Sequence, residues 1–96
     1  MQYNDTDSIQ RSTEVYSSQL DEYLVLIDED NGSYFGLHDT AHYIWEALSE
    51  PKTFKELVDL LTAKFNISRK TCITDISPFL KNLSSNDLVT IDIGNV

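Results

Sequence analysis

The chain has 96 residues, 41% of them hydrophobic and 24% charged, which suits one globular domain with a single core and excludes both a second domain and a disordered chain. Its net charge is −9, and residues 1 to 50 carry eleven acids against Arg11 alone, while residues 51 to 96 carry six bases and five acids. A chain with no cluster of Lys and Arg is a poor match for nucleic acid or an anionic membrane, whereas a basic peptide or basic protein patch would be drawn to its amino-terminal half.

After Met1, Gln2 to Thr13 form a polar run with Tyr3 and Ile9 as its only large apolar residues, and residues 1–12 read as a flexible segment ahead of a domain over 13–93. No stretch approaches the ~18 apolar residues of a membrane span and no signal-peptide core follows Met1, so a cytoplasmic protein is expected. Cys72 has no partner for an internal disulfide and lacks the paired spacing of a zinc site.

Thr13 to Tyr16 reads as a weak strand and Tyr23 to Ile27 as a stronger one, five residues of apolar, β-favouring type. Asp28-Glu29-Asp30-Asn31-Gly32 supplies turn chemistry, with Asn31-Gly32 suited to positive φ in a hairpin, and Ser33 to Leu37 follows as a third strand. So small a sheet must lay one face on something else. After Asp39, a candidate N-cap, Ala41, Ile44, Trp45 and Leu48 mark one face of a helix that Pro51 ends. Thr53-Phe54-Lys55-Glu56 has the form of a capping box opening a second helix, with Phe54, Leu57, Val58, Leu61 and Phe65 as its stripe and Asn66 at its close. Ser68 is placed to cap a third helix with apolar Ile73, Ile76, Leu80 and Leu83. Pro78 falls inside that pattern, where it lacks a donor for the Thr74 carbonyl, so either one kinked helix or two segments meeting near Ser77 is expected, the former keeping the stripe in register. Asn86-Asp87 is a stop, and Leu88 to Ile93 alternates as a short last strand.

Catalytic or metal chemistry has little to work with. His38 and His42 are four apart beside Asp39, but no third ligand and no metalloprotease Glu accompany them, so a surface histidine pair is the expected reading and no metal or other cofactor is implied. No nucleophile with a base, phosphate-cradling glycine loop or poised carboxylate pair can be named, and the chain reads as a non-enzyme.

The order of elements and their residues resemble the PqqD-like domains, also called precursor recognition elements of ribosomally synthesised, modified peptides (RiPPs). The marks are Gly32-Ser33-Tyr34-Phe35-Gly36-Leu37 leading to Ile44-Trp45, then Thr53-Phe54-Lys55-Glu56-Leu57, Asp75-Ile76 with Phe79-Leu80 and Leu83, and finally Leu88-Val89. Within that family the strand and the Ile-Trp pair look most like the stand-alone recognition proteins of lasso-peptide biosynthesis. The sequence departs from the pattern at His38, where many members have Asn, and at Ala41-His42-Tyr43, which leaves the first helix cap open.

The resemblance implies an α+β fold, a three-stranded antiparallel sheet packed on three helices in a winged-helix-like arrangement. It implies that the protein binds the leader segment of a precursor peptide as an added strand, with Ser33, Tyr34, Phe35, Gly36 and Leu37 as the edge and Cys72, Asp75, Ile76 and Phe79 as a groove wall on the third helix. By alternation Phe35 and Leu37 face the core and Tyr34 the opposite side. The implied partners are the leader peptide, a leader protease and a cyclase. A PqqD-type chaperone serving a radical enzyme and a winged-helix DNA-binding regulator are the alternatives. An open edge also allows a monomer or a weak homodimer.

Overall fold

The computed structural model describes residues 3–13, 15–29 and 32–94. It contains three helices and two antiparallel sheets of three strands each. One sheet holds β2 (Val15–Leu20), β3 (Tyr23–Asp28) and β4 (Ser33–Leu37), in that order, with β3 central. Its register pairs Leu24 with Leu37, Leu26 with Phe35 and Ile27 with Tyr34. Gly32 sits at φ 65° before β4, as a tight hairpin connection requires, while Asn31, the other half of the expected turn pair, lies outside the described residues.

Three helices follow the sheet. In α1 (Thr40–Ala47) Ile44 and Trp45 are buried, with Leu48 closing the helix. α2 (Phe54–Phe65) opens on the full capping box: the Glu56 amide donates to Thr53 Oγ1 at 3.1 Å and the Thr53 amide to Glu56 Oε1 at 2.9 Å. Asn66 ends it in the left-handed conformation, φ 51°. α3 (Arg69–Ser85) is capped by Ser68, which accepts from the Thr71 amide at 3.1 Å, and it runs through Pro78 as one helix rather than two segments. Pro78 is exposed, and the Ser77 hydroxyl donates to the Ile73 carbonyl at 2.6 Å beside the missing bond. Asp39 does occupy the N-cap position of α1, but at φ 54° its side chain makes no cap hydrogen bond; it lies 3.2 Å from His38 Nδ1 instead.

The second sheet was not expected. β1 (Ser8–Arg11) lies between the two-residue β5 (Lys52–Thr53) and β6 (Val89–Asp92). Part of the segment read as flexible is therefore structured: Ile9 is 0% exposed, pairs with both Lys52 and Ile91, and belongs to the main core. The reason is that one large apolar residue in a polar run buries fully once two neighbouring backbones satisfy the strand around it. Arg11 extends the tie. Its guanidinium donates through Nε to the Trp45 carbonyl at 3.0 Å and again through Nη2, and lies 4.6 Å from the Trp45 ring centroid. It meets the carbonyl end of α1, where orphan acceptors and the helix dipole favour a cation, although burial lowers the Arg11 pKa from its ordinary value.

Asp7 closes the other end of β1. Its carboxylate accepts from the Gly94 amide at 3.0 Å and the Asn4 amide at 2.9 Å, and these bonds hold it below the usual carboxylate range. A side chain at Gly94 would collide with Thr6.

One core joins all these pieces: Leu24, Leu26 and Leu37 from the larger sheet, Ile9, Leu88 and Val89 from the smaller sheet and its approach, and the apolar stripes of the three helices.

Ile9→Ala is expected to destabilise the protein by about 2–5 kcal/mol, read as a lower urea midpoint, because a fully buried aliphatic side chain leaves a cavity. Asp7 titrates below its unfolded value in the native state, so its contribution is complete above the ordinary Asp range and is lost as pH falls through the depressed value. Asp7→Asn should accordingly lower the urea midpoint at neutral pH, and the gap to the native protein should close in acid.

Candidate peptide-binding edge

β4 is paired on one side only. β3 occupies its inner rim, and among the described residues no strand lies along the outer one. In an antiparallel strand with one neighbour, alternate residues turn N–H and C=O away from the ladder, so this rim can accept another backbone. β2 is also an edge, but the two differ in what lies beneath them. β4 turns Leu37 and Phe35 toward the core, where Leu37 is buried and Phe35 packs half-buried against the cluster. β2 turns Ser17 and Gln19 the same way, opposite Leu26 and Leu24, and both are exposed. Within this sheet β4 has the broader apolar footing, β2 adding only the half-buried Val15 at its start.

The expected alternation along β4 holds. Tyr34 is 71% exposed on the face opposite Leu37. Gly36 is exposed, its φ is not in the left-handed region, and a Cβ built there would meet only Tyr23 Cδ1 at an ordinary 3.8 Å. Neither backbone conformation nor packing within the chain calls for glycine at this place. Ser33 pairs with Asp28 at the start of the strand.

On α3 the four expected wall residues separate. Cys72 and Ile76 are 0% and 3% exposed and belong to the core, so they are not groove surface; their place on the apolar stripe outweighs their nearness in sequence to Asp75 and Phe79. Asp75 is exposed, and Phe79 is half-buried against the same cluster that holds Leu37. Burial, with the Asp75 charge adding, pushes the Cys72 thiol up, which keeps it protonated and a poor nucleophile at neutral pH.

His38 and His42 line an open cleft of about 430 Å³ together with Glu22, Asp39, Tyr43 and Glu46 at the end of β4. His38 Nε2 lies 3.0 Å from Glu22 Oε2, and His42 Nε2 lies 3.5 Å from Glu46 Oε1. The two imidazoles thus face different carboxylates, and among the described residues no His, Cys, Asp and Glu side chains gather as a metal-binding group. Nor, among these residues, is any helix long and apolar enough to cross a membrane.

The family model for coenzyme PQQ synthesis protein D, PqqD, matches residues 23–89, from β3 to the first residue of β6. The chain belongs to the PqqD family. Its fold is also that of the solved structure of TbiB1 in complex with the TbiA(beta) leader peptide, at 34% identity and a TM-score of 0.76, over 83% of this chain and 93% of that one. A second structure, lasso peptide synthetase B1 complexed with the leader peptide, shares the fold at 24% identity and a TM-score of 0.68, over 85% of this chain and 96% of that one. No curated protein matches the sequence. The expected α+β, PqqD-like fold is borne out, with two three-stranded sheets where one was expected. What the sequence reading lacked was β1 and β5, which lie ahead of the matched region or are only two residues long.

Gly36→Ala is expected to leave the fold intact and to raise stability by about 0.4–1 kcal/mol, since alanine fits the native geometry and restricts the unfolded chain. Thermal and urea unfolding of the variant would check this; a clear loss of stability would mean that glycine serves the protein's own packing.

Proposed function

We propose that this chain is a recognition protein: it captures the leader segment of a ribosomally made precursor peptide as an added antiparallel strand on β4. It then presents the precursor to processing enzymes of the lasso-peptide type, a leader protease and a cyclase. The carrying observation is the outer rim of β4, left unpaired among the described residues and footed on the apolar core. The 34% identity to TbiB1, a protein solved in complex with the TbiA(beta) leader peptide, supports leader binding by this chain.

Each part of the edge has a task in this reading. Backbone groups from Ser33 to Leu37 supply main-chain hydrogen bonds and hence affinity, while pockets for alternate leader side chains supply specificity. Phe35 and Leu37 give the edge an apolar base. Phe79 offers the leader a half-buried aromatic surface on α3, and the exposed Asp75 carboxylate accepts from a basic residue or an amide of the leader. Cys72 and Ile76 contribute from below, by fixing the helix on which those two stand. The acidic amino-terminal half attracts a basic leader over distance, an effect that weakens with salt.

The protein acts in recognition only and needs no cofactor, and it works in the cytoplasm, where precursor peptides are made. A DNA-binding role finds little support, because Arg69 at the start of α3 is engaged by Asp5 and Asp59 rather than free to meet phosphate.

Isothermal titration with the leader encoded beside this gene should give saturable binding; no heat at tens of micromolar would remove the lasso reading. Gly36→Pro deletes an N–H and adds a ring on β4, and it should abolish that binding. Full affinity in a variant whose circular dichroism matches the native protein would count against the β4 assignment.

A further inference from the structure

The leader edge leaves one large feature of the molecule unused. The register that sends Leu24, Leu26 and Leu37 into the core sends Tyr16, Leu20, Tyr23, Val25, Ile27 and Tyr34 to the opposite face of the same sheet. Val25 and Ile27 are half-buried, while Tyr16, Leu20, Tyr23 and Tyr34 are 53%, 58%, 49% and 71% exposed. Four of the seven exposed large hydrophobic residues of the described chain stand together on this one face. A contiguous apolar area of this kind marks an interaction surface, and tyrosine, with an apolar ring and a wet hydroxyl, is enriched in such places.

We propose that this outer sheet face docks a protein whose contact patch is apolar at its centre and rimmed by lysine and arginine, and that the docked protein is the enzyme that cleaves the bound leader. The identity of that enzyme rests on the leader-binding reading; the face itself does not.

Charge selects among the possible occupants. From Ser12 to Pro51 the sequence contains no Lys or Arg, and the turns that bracket the face carry Asp21 and Glu22 at one end and Glu29 at the other. Two copies of such a face repel, and an anionic lipid surface is repelled for the same reason. A cationic rim is attracted, which speeds encounter and fixes orientation. Position selects the role. Tyr34 belongs both to this face and to the β4 edge, so a body seated on the face lies alongside any peptide paired with β4.

The test uses the whole protein with the purified leader protease encoded beside the precursor as probe, and separately with the leader peptide. Tyr16→Ser combined with Leu20→Ser alters β2, two strand spacings or about 10 Å from β4, so leader affinity should stay within about twofold. Affinity for the protease should fall by about tenfold or more, since truncating apolar anchors costs at least that much. Glu22→Lys with Glu29→Lys, at exposed turn positions, should also weaken protease binding and flatten its dependence on salt; it serves as the second arm if the apolar variant folds poorly.

Equal protease binding by the folded variants would overturn the proposal. So would a native protein that binds leader but not protease, a variant that loses only the cyclase, or a native dimer on sedimentation that the β2 variant abolishes. Failure of the leader to bind, with protease binding still lost in the variants, would instead remove the leader reading and keep the face as a docking surface.

Discussion

A three-stranded sheet has two faces and two rims, and this chain has helices enough to cover one face. That shortage of cover governs the molecule. The inner face, through Leu24, Leu26 and Leu37, meets Trp45, Leu61 and the α3 stripe in one core. Left over are a rim at β4 footed on Phe35 and Leu37, a rim at β2 footed on Val15 alone, and an outer face of tyrosines and aliphatics. Burying the outer face would take another layer of structure, and among the described residues none lies over it.

The second sheet addresses a different need. β1 is clamped between β5 and β6, so the start of the chain, the α1–α2 connection and the end of the chain meet in one small ladder. Ser12 continues the clamp, its amide donating to the Leu88 carbonyl at 3.0 Å. Arg11 then reaches across to Trp45, the only basic residue among the first fifty being used internally to close α1. The effect is to hold the helices in place from behind while the larger sheet stays open in front. A binding edge is useful only if the elements beside it keep their positions, and here the positioning is done by a part of the fold that does not take part in the edge.

Much of this was legible in the sequence where the signal was local. The Thr53–Glu56 box, the Ser68 cap, the Asn66 stop and the i, i+3, i+4 stripes each depend on residues within a turn or two of one another; the caps are found as read, and the α2 stripe is too except at Phe65, which is 37% exposed. The Tyr34, Phe35, Leu37 alternation also survived, because a strand over a core cannot shift by one residue without turning its apolar set outward. Non-local pairing was not legible. β1 offers one apolar residue in four, and its partner β6 lies some eighty residues away; nothing near Ile9 announces it. β2 continues through Ser17, Ser18 and Gln19 because the β3 backbone pairs with it, not because those side chains favour a strand. On α3 helical spacing tells which residues are neighbours, but depth depends on what packs against them. That is why Cys72 and Ile76 went into the core and Asp75 and Phe79 stayed near the surface.

Cys72 is the chain's single thiol, and it has no accessible surface. Two folded copies cannot be joined through it by air oxidation, and an alkylating reagent can reach it only while α3 parts from the layer beneath. The sulfur is therefore a built-in clock: its modification rate counts how often α3 lifts away from the core, and ligands that tighten the helix would slow the count without touching the sulfur.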